Sequence, residues 1–356
     1  MKPLIALSDF RIILPSILMD QNVLLDYMAQ IHTEVLKSQS QSYEKIAKQV
    51  MHYGLKAKQI SQRRFENIHI AEDKKDILDR MQFYQVRARE IMSKFYPKNS
   101  QAPDHIIHVT CTGYISPSAV QILVCENAWN QLTQVTHAYH MGCYAALPAV
   151  RMAEGLVVAQ NSNVDIVHNE MCGLHMDIND HSPEQLIVQS LFADGHIKYS
   201  AMKVDAAKEG FRVHRIREFI VPDSENDMSW IPASWGMKMT LSRNVPAKIK
   251  SSLHHFLQDL IAESPYQLDD IMKRSIFAIH PGGPKIIDSI QELLGLTDAQ
   301  IQISREVLFE NGNMSSATLP YVWQKLLEQN IESKQLVVSL AFGPGLTIFG
   351  ALFEAI

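Results

Sequence analysis

Cysteine is scarce in this sequence: of 356 residues only Cys111, Cys125, Cys143 and Cys172 carry a thiol, and no two are spaced as CxxC. A disulfide framework or a structural zinc site needs more than that, so a reducing, cytoplasmic setting is expected. An excess of positive charge is also missing. The formal charge is −5 and the pI is near 6.3, whereas a nucleic-acid binder carries a basic balance or a basic stripe. No nucleic-acid partner is expected. Uninterrupted apolar runs are few. Asp9 and Arg11 break MKPLIALSDFRIILP too early for a secretory signal. The uncharged run LVVSLAFGPGLTIFGALF, residues 336–353, has Gly343-Pro344-Gly345 at its middle. It reads as two buried strands joined by a tight turn, so no membrane partner is expected. Short-period repeats and low-complexity tracts are absent too.

What is present is enough apolar sequence for a large core. Residues 22–100 read mainly as helix, since IAKQVMHYGLKAKQISQRRF and KDILDRMQFYQVRAREIMSKFY space apolar residues three and four apart. From residue 104 short β-rich runs (HIIHVT, QVTHAYH, VDIVHNE) alternate with helical segments such as SAVQILVCENAWN and AALPAVRMAEGLVVAQ. That alternation predicts an α/β fold. The polar stretch 221–234 reads as a connection between two α/β halves, 1–220 and 221–356. Beyond it NVPAKIKSSLHHFLQDLIAE, KIIDSIQELLG and SSATLPYVWQKLLEQ predict helices, while SIFAIH, QLVVSLAF and LTIFGALFEA predict strands.

Three loop-borne stretches could carry chemistry: MGCYAA around Cys143, IFAIHPGGPK around His280 and LFENGNMSSA around Asn313. Strand ends and helix starts are where α/β proteins place their sites. A cysteine at a helix start gains thiolate stability from the dipole, and a nearby imidazolium adds to it. Each stretch also has a plainer reading. Cys143 could be a small buried hydrophobe, His280 a core histidine, HPGGP a turn and Asn313 a helix cap.

In order, GCYAA, LFADG, HPGGP, GNMSSA and AFGPGLT resemble the type III polyketide synthases, the chalcone-synthase-like family of the thiolase superfamily. The resemblance extends over nearly the whole chain, QRRF and RMQFY included. It implies a thiolase-like fold, two similar α/β halves in a layered αβαβα arrangement, with the nucleophile in the first half and the histidine and asparagine in the second. It implies that Cys143 carries the acyl chain as a thioester, beside a protonated His280 that keeps the thiolate available. His280 and Asn313 would donate to the carbonyl of a malonyl thioester as carbon dioxide leaves. No cofactor or metal is implied beyond coenzyme A thioesters as substrates, and a homodimer is implied, with CTGYISPS leading to its interface.

The same resemblance places Phe192 and Met239 as gatekeepers between access tunnel and cavity. Trp230 falls where plant members have a cavity-opening glycine, Cys172 and His175 at product-tuning positions, Ser315 near the catalytic centre, and Gly343, Pro344 and Gly345 on the cavity floor. Core packing is the alternative for Phe192, Met239 and Trp230. Lys58 matches one coenzyme-A-binding position and Lys285 could supply a replacement charge, though a solvated surface lysine is the preferred reading there. A carrier-protein phosphopantetheine is the other donor considered. The expectation is a polyketide synthase that extends an acyl-cysteine by decarboxylative Claisen condensation and cyclises the chain to a pyrone or resorcinol-type ring. The alternatives are a single-round condensing enzyme resembling 3-oxoacyl-(acyl-carrier-protein) synthase III, and a catalytically silent partner.

Overall fold

A computed structural model describes residues 5–69, 76–262 and 264–356. The first part of the chain runs β1 (Ile5–Ile13), β2 (Ile17–Asp20), α1 (Gln21–Ser38), α2 (Ile46–Tyr53), β3 (Gln62–Phe65) and α3 (Ile77–Phe95). An alternating stretch follows: β4 (His105–Thr110), α4 (Ala119–Glu126), β5 (Gln134–Tyr139), α5 (Ala146–Gln160), β6 (Val164–Met171), α6 (Pro183–Leu191) and β7 (Asp194–Lys203). Next come β8 (Phe211–Ile220), β9 (Met228–Pro232), β10 (Met237–Leu241), α7 (Val245–Ile261), α8 (Leu268–Arg274) and β11 (Ile276–Ile279). The chain closes with α9 (Pro284–Leu294), α10 (Asp298–Asn311), α11 (Thr318–Glu328), β12 (Leu336–Gly343) and β13 (Thr347–Ala355).

Nine strands form one mixed sheet in the order β11-β12-β13-β8-β1-β7-β6-β4-β5. Its two parts meet through a short pairing, Ala6 with Arg212 and Leu7 with Phe211. β8, numbered within the first expected half, lies beside β13 of the second. Layering follows from the period of two along each strand. On β12 and β13, Val337, Ala341, Phe349, Ala351 and Phe353 share a core with α5 and α11. The intervening Val338, Leu340, Phe342, Ile348 and Leu352 face α7, α9 and α10 instead. On the other part of the sheet, Ile106, Val167 and Met171 pack against α3 and α4. Helices α5 and α11 thus contribute to the same inner core as both parts of the sheet, with further helices outside it. This is the layered α/β arrangement that the sequence predicts.

Two local expectations differ from the structure. The long helix predicted through QRRF stops at Tyr53, and Gln62–Phe65 pairs with Ile17–Asp20 as a strand. A Cβ at Gly54 would sit 2.6 Å from the Leu25 side chain and 2.8 Å from the Val50 carbonyl, so the chain turns away there. The presumed connection 221–234 contains β9, which forms a separate two-stranded hairpin with β10. Lys75 and Glu263, ends of two predicted helices, lie outside the described residues. Residues 336–353 form the predicted strand pair, and among the described residues no helix is long and apolar enough to cross a membrane.

The inner core turns on Trp323 of α11. Its ring is fully buried, lies edge-on to Tyr199 and Phe353, and donates its Nε1–H to Ser339 Oγ at 2.8 Å. Trp323→Ala leaves a cavity and an unpaired hydroxyl, so it should cost about 4 kcal/mol of stability, read by urea denaturation of the two proteins.

Candidate active site

The parallel strands β4 and β5 deliver two turns to one place. Cys111 and Thr112 leave the end of β4, and Gly142-Cys143 leave β5 just before α5. Gly142 has φ +86°, and a Cβ on it would lie 2.5 Å from Pro344 Cδ, so only glycine fits. Its N–H donates to the Cys111 sulfur at 3.0 Å. Gly343 is fixed in the same way, because a Cβ there would lie 2.3 Å from the Tyr144 ring. The β12–β13 turn therefore presses directly on the nucleophile turn.

Cys143 is buried, with its sulfur 3.9 Å from Ser315 Oγ. Asn313 follows Gly312, whose φ of +73° ends α10. Its backbone is held on both sides, donating to Leu191 O at 3.0 Å and accepting from Ala193 N at 2.8 Å. Its side-chain Oδ1 accepts from Ser315 N at 2.9 Å, which fixes the amide and leaves Nδ2 as the donor acting on the Cys143 sulfur. His280 ends β11, anchored by its N–H to Leu340 O at 2.7 Å. Its ring is buried and neither ring nitrogen has a hydrogen-bond partner. Cys143 and Asn313 are thus brought together, and no hydrogen bond joins His280 to either.

Burial works against the anticipated thiolate–imidazolium pair. Burial pushes the Cys143 thiol up to about 12, with the nearby Glu170 adding to it and Ser315 and Asn313 working against it. Burial likewise brings His280 down to about 3. Desolvation disfavours the charged form of both groups, and no hydrogen bond between them compensates.

A narrow cavity of about 40 Å³ lies against this centre. Of the residues assigned to a pocket from sequence, Cys172, His175, Phe192, Trp230, Met239, Ser315 and Pro344 line it. Gly343 and Gly345 flank Pro344 without lining it. Trp230 and Met239 are cross-strand partners on the β9–β10 hairpin. The indole donates to Cys111 O at 2.6 Å and lies edge-on to His175 at 5.3 Å. His175 donates from Nε2 to Thr112 O and accepts from Met237 N at Nδ1, which settles its tautomer, and burial brings it down to about 4. Lys58 and Lys285 are exposed, and neither lines the cavity. Among the described residues, no group of three or more His, Cys, Asp or Glu side chains is arranged to hold a metal ion.

Sequence reasoning missed several wall residues, notably Phe65, Cys111, Thr112 and Gln189. It also missed Glu170, a fully buried carboxyl at the end of β6. Glu170 accepts from Cys111 N at 2.9 Å, from Thr112 Oγ1 at 2.8 Å and from the Ser316 hydroxyl. The signal was available: VDIVHNE ends a buried strand on a charge, and such a charge needs a reason.

Residues 212–356 match the chalcone and stilbene synthases, C-terminal domain. The chain is 31% identical over 261 residues to probable polyketide synthase 1 of Dictyostelium discoideum, a match covering 70% of this chain and 8% of that protein. It is 30% identical over 262 residues to the alpha-pyrone synthesis polyketide synthase-like protein of Mycobacterium tuberculosis, covering 70% of this chain and 65% of that one. The matched stretch spans less than two thirds of either relative. In fold it follows the crystal structure of 1,3,6,8-tetrahydroxynaphthalene synthase from Streptomyces coelicolor, a bacterial type III polyketide synthase. That superposition has a TM-score of 0.83 at 22% identity and covers 98% of this chain and 99% of the other. The C-terminal part of the chain thus resembles the chalcone and stilbene synthases, and the whole chain shares the fold of a bacterial type III polyketide synthase.

Proposed function

We propose that this chain is a condensing acyltransferase that extends an acyl-Cys143 thioester with malonyl units by decarboxylative Claisen condensation and then cyclises the product. The observation that carries this reading is the site itself. A buried thiol has an amide donor beside it, and His280 is a buried imidazole with both nitrogens unspent. Buried polar groups are almost always paired, so an unpaired ring in a family of acyl-transfer enzymes is best explained as a donor waiting for a substrate oxygen. The thiol attacks an acyl thioester, the acyl–sulfur bond to coenzyme A breaks, and the proton lost by Cys143 passes to the departing coenzyme A sulfur as the acyl group moves to Cys143. Asn313 Nδ2 and His280 then hydrogen-bond the malonyl thioester oxygen, where charge develops as the carboxylate departs as carbon dioxide. The resulting enolate carbon attacks the acyl-Cys143 carbonyl, the carbon–sulfur bond to Cys143 breaks, and the sulfur leaves as a thiolate while the lengthened chain stays on the donor thioester.

The donors we propose are acyl- and malonyl-coenzyme A, with the exposed Lys58 and Lys285 as phosphate contacts and a carrier protein as the alternative. We further propose a cytoplasmic homodimer in which the edge strand β5 and the exposed Ser116-Pro117 turn meet the second copy. The ring formed would be a pyrone or resorcinol type. The small cavity, about 40 Å³, keeps a single-round condensing enzyme in view as a second reading. Incubating the purified protein with malonyl-coenzyme A and a panel of acyl donors, then weighing the products by mass spectrometry, decides between one addition and several. No condensed product from any donor would end the proposal.

Three further outcomes are expected. Asn313→Ala should slow malonyl decarboxylation by about 100-fold while acyl loading of Cys143, followed with a radiolabelled donor, stays within a few-fold. Trp230→Ala removes the indole that fills the cavity wall, and its product mixture should shift to longer chains by mass. Because the thiol titrates far above neutrality, alkylation of Cys143 by iodoacetamide should rise about tenfold per pH unit across the neutral range. A plateau there would mean that a thiolate–imidazolium pair already exists.

A further inference from the structure

His168 precedes Glu170 by two residues on β6, so both side chains leave the strand on the same face. Its Nδ1 lies 3.0 Å from Ser316 Oγ and its Nε2 lies 3.1 Å from the Tyr199 hydroxyl. Ser316 Oγ in turn bonds Glu170 Oε1. Tyr199, His168, Ser316 and Glu170 are all 0% exposed. The direction of this chain can be worked out. The Ser316 hydroxyl donates to the Glu170 carboxyl oxygen. The Ser316 oxygen then takes the His168 Nδ1–H, and the Nε2 lone pair takes the Tyr199 O–H. One tautomer satisfies every group, and every hydrogen points toward the carboxylate, an arrangement in which each bond polarises the next.

The groups acting on Glu170 from neighbouring elements are Cys111, Cys143, Cys172, Tyr84, Tyr114 and Asp194. These are thiols, phenols and a carboxyl, none of them a cation. His168 itself faces Tyr199 and His108, and burial keeps its ring neutral, with a value near 3. Burial pushes the Glu170 carboxyl above its usual range, the hydrogen bonds from Ser316, Cys111 N and Thr112 work against that rise, and His168 orients the one supplied by Ser316.

We propose that His168 is a positioning residue: by fixing the Ser316 hydroxyl it anchors the Glu170 carboxylate behind the nucleophile turn, and through that carboxylate it sets how readily Cys143 gives up its proton. The proposal rests on Cys143 being the nucleophile of the reading above, but its test follows the carboxyl directly. Difference infrared spectra of the whole chain are recorded against pH, with the protonated-carboxyl band of Glu170 assigned by its loss in Glu170→Gln. In the pair His168→Phe with Tyr199→Phe, the stacked rings remain and no hydroxyl is orphaned. Its Glu170 band should appear about one pH unit higher than in the wild type. Between the two carboxyl midpoints iodoacetamide should alkylate its Cys143 several-fold faster than in the wild type, approaching the rate of Glu170→Gln, because a neutral neighbour opposes the thiolate less. His168→Asn, which keeps an N–H near the Nδ1 position, should restore the wild-type titration. A folded double variant with a wild-type infrared titration overturns the proposal, and so does a shifted titration that leaves Cys143 alkylation unchanged. If the expected titrations are seen in a chain that condenses nothing, this inference stands and the preceding reading fails.

Discussion

One buried carboxylate holds the centre of this molecule together. Glu170 collects hydrogen bonds from the end of β4 and from the turn before α11, while its own strand, β6, lies beside both. A charge without solvent is tolerated only while its donors stay in place. The segments carrying Cys111 and Ser316 therefore cannot drift apart without exposing an unmet anion. Cys143 and Asn313 inherit their placement from those two segments, through the Gly142 N–H on the Cys111 sulfur and the Ser315 N–H on Asn313 Oδ1.

The second theme is dryness. Both the thiol and the imidazole are buried deeply enough that desolvation disfavours their charged forms. A site of this kind is not armed in advance. Its donors gain strength from the same low dielectric that suppresses the charges, and they act when a substrate oxygen arrives to be stabilised.

Much of this was legible beforehand, for identifiable reasons. Strands β4 to β6 and β11 to β13 announce themselves by short β-branched runs, and Gly343-Pro344-Gly345 marks the turn between the last two. Cys143, His280 and Asn313 stand out because each sits in a distinctive glycine-containing stretch. Glu170, His168 and Cys111 did not stand out, since their importance comes from cross-strand register and not from any local pattern. The QRRF segment was misread because Arg63 and Arg64 look like a solvated helix face. In the structure Arg63 is buried and donates to the carbonyls of Gln189 and Phe192. Charge state at the site was likewise out of reach, because desolvation depends on what surrounds a group in space.

The β9–β10 hairpin lies outside the nine-stranded sheet, yet it supplies Trp230 and Met239 to the cavity. Its two strands pair only with each other, so the residues that shape the chamber stand outside the ladder and are seated against it by hydrogen bonds to Cys111 and His175. Such a partition leaves the chamber free to change over evolutionary time. Variants at these two sites can trade one bulk for another, and relatives sharing this scaffold can diverge in what they make while the anchored thiol behind them stays as it is.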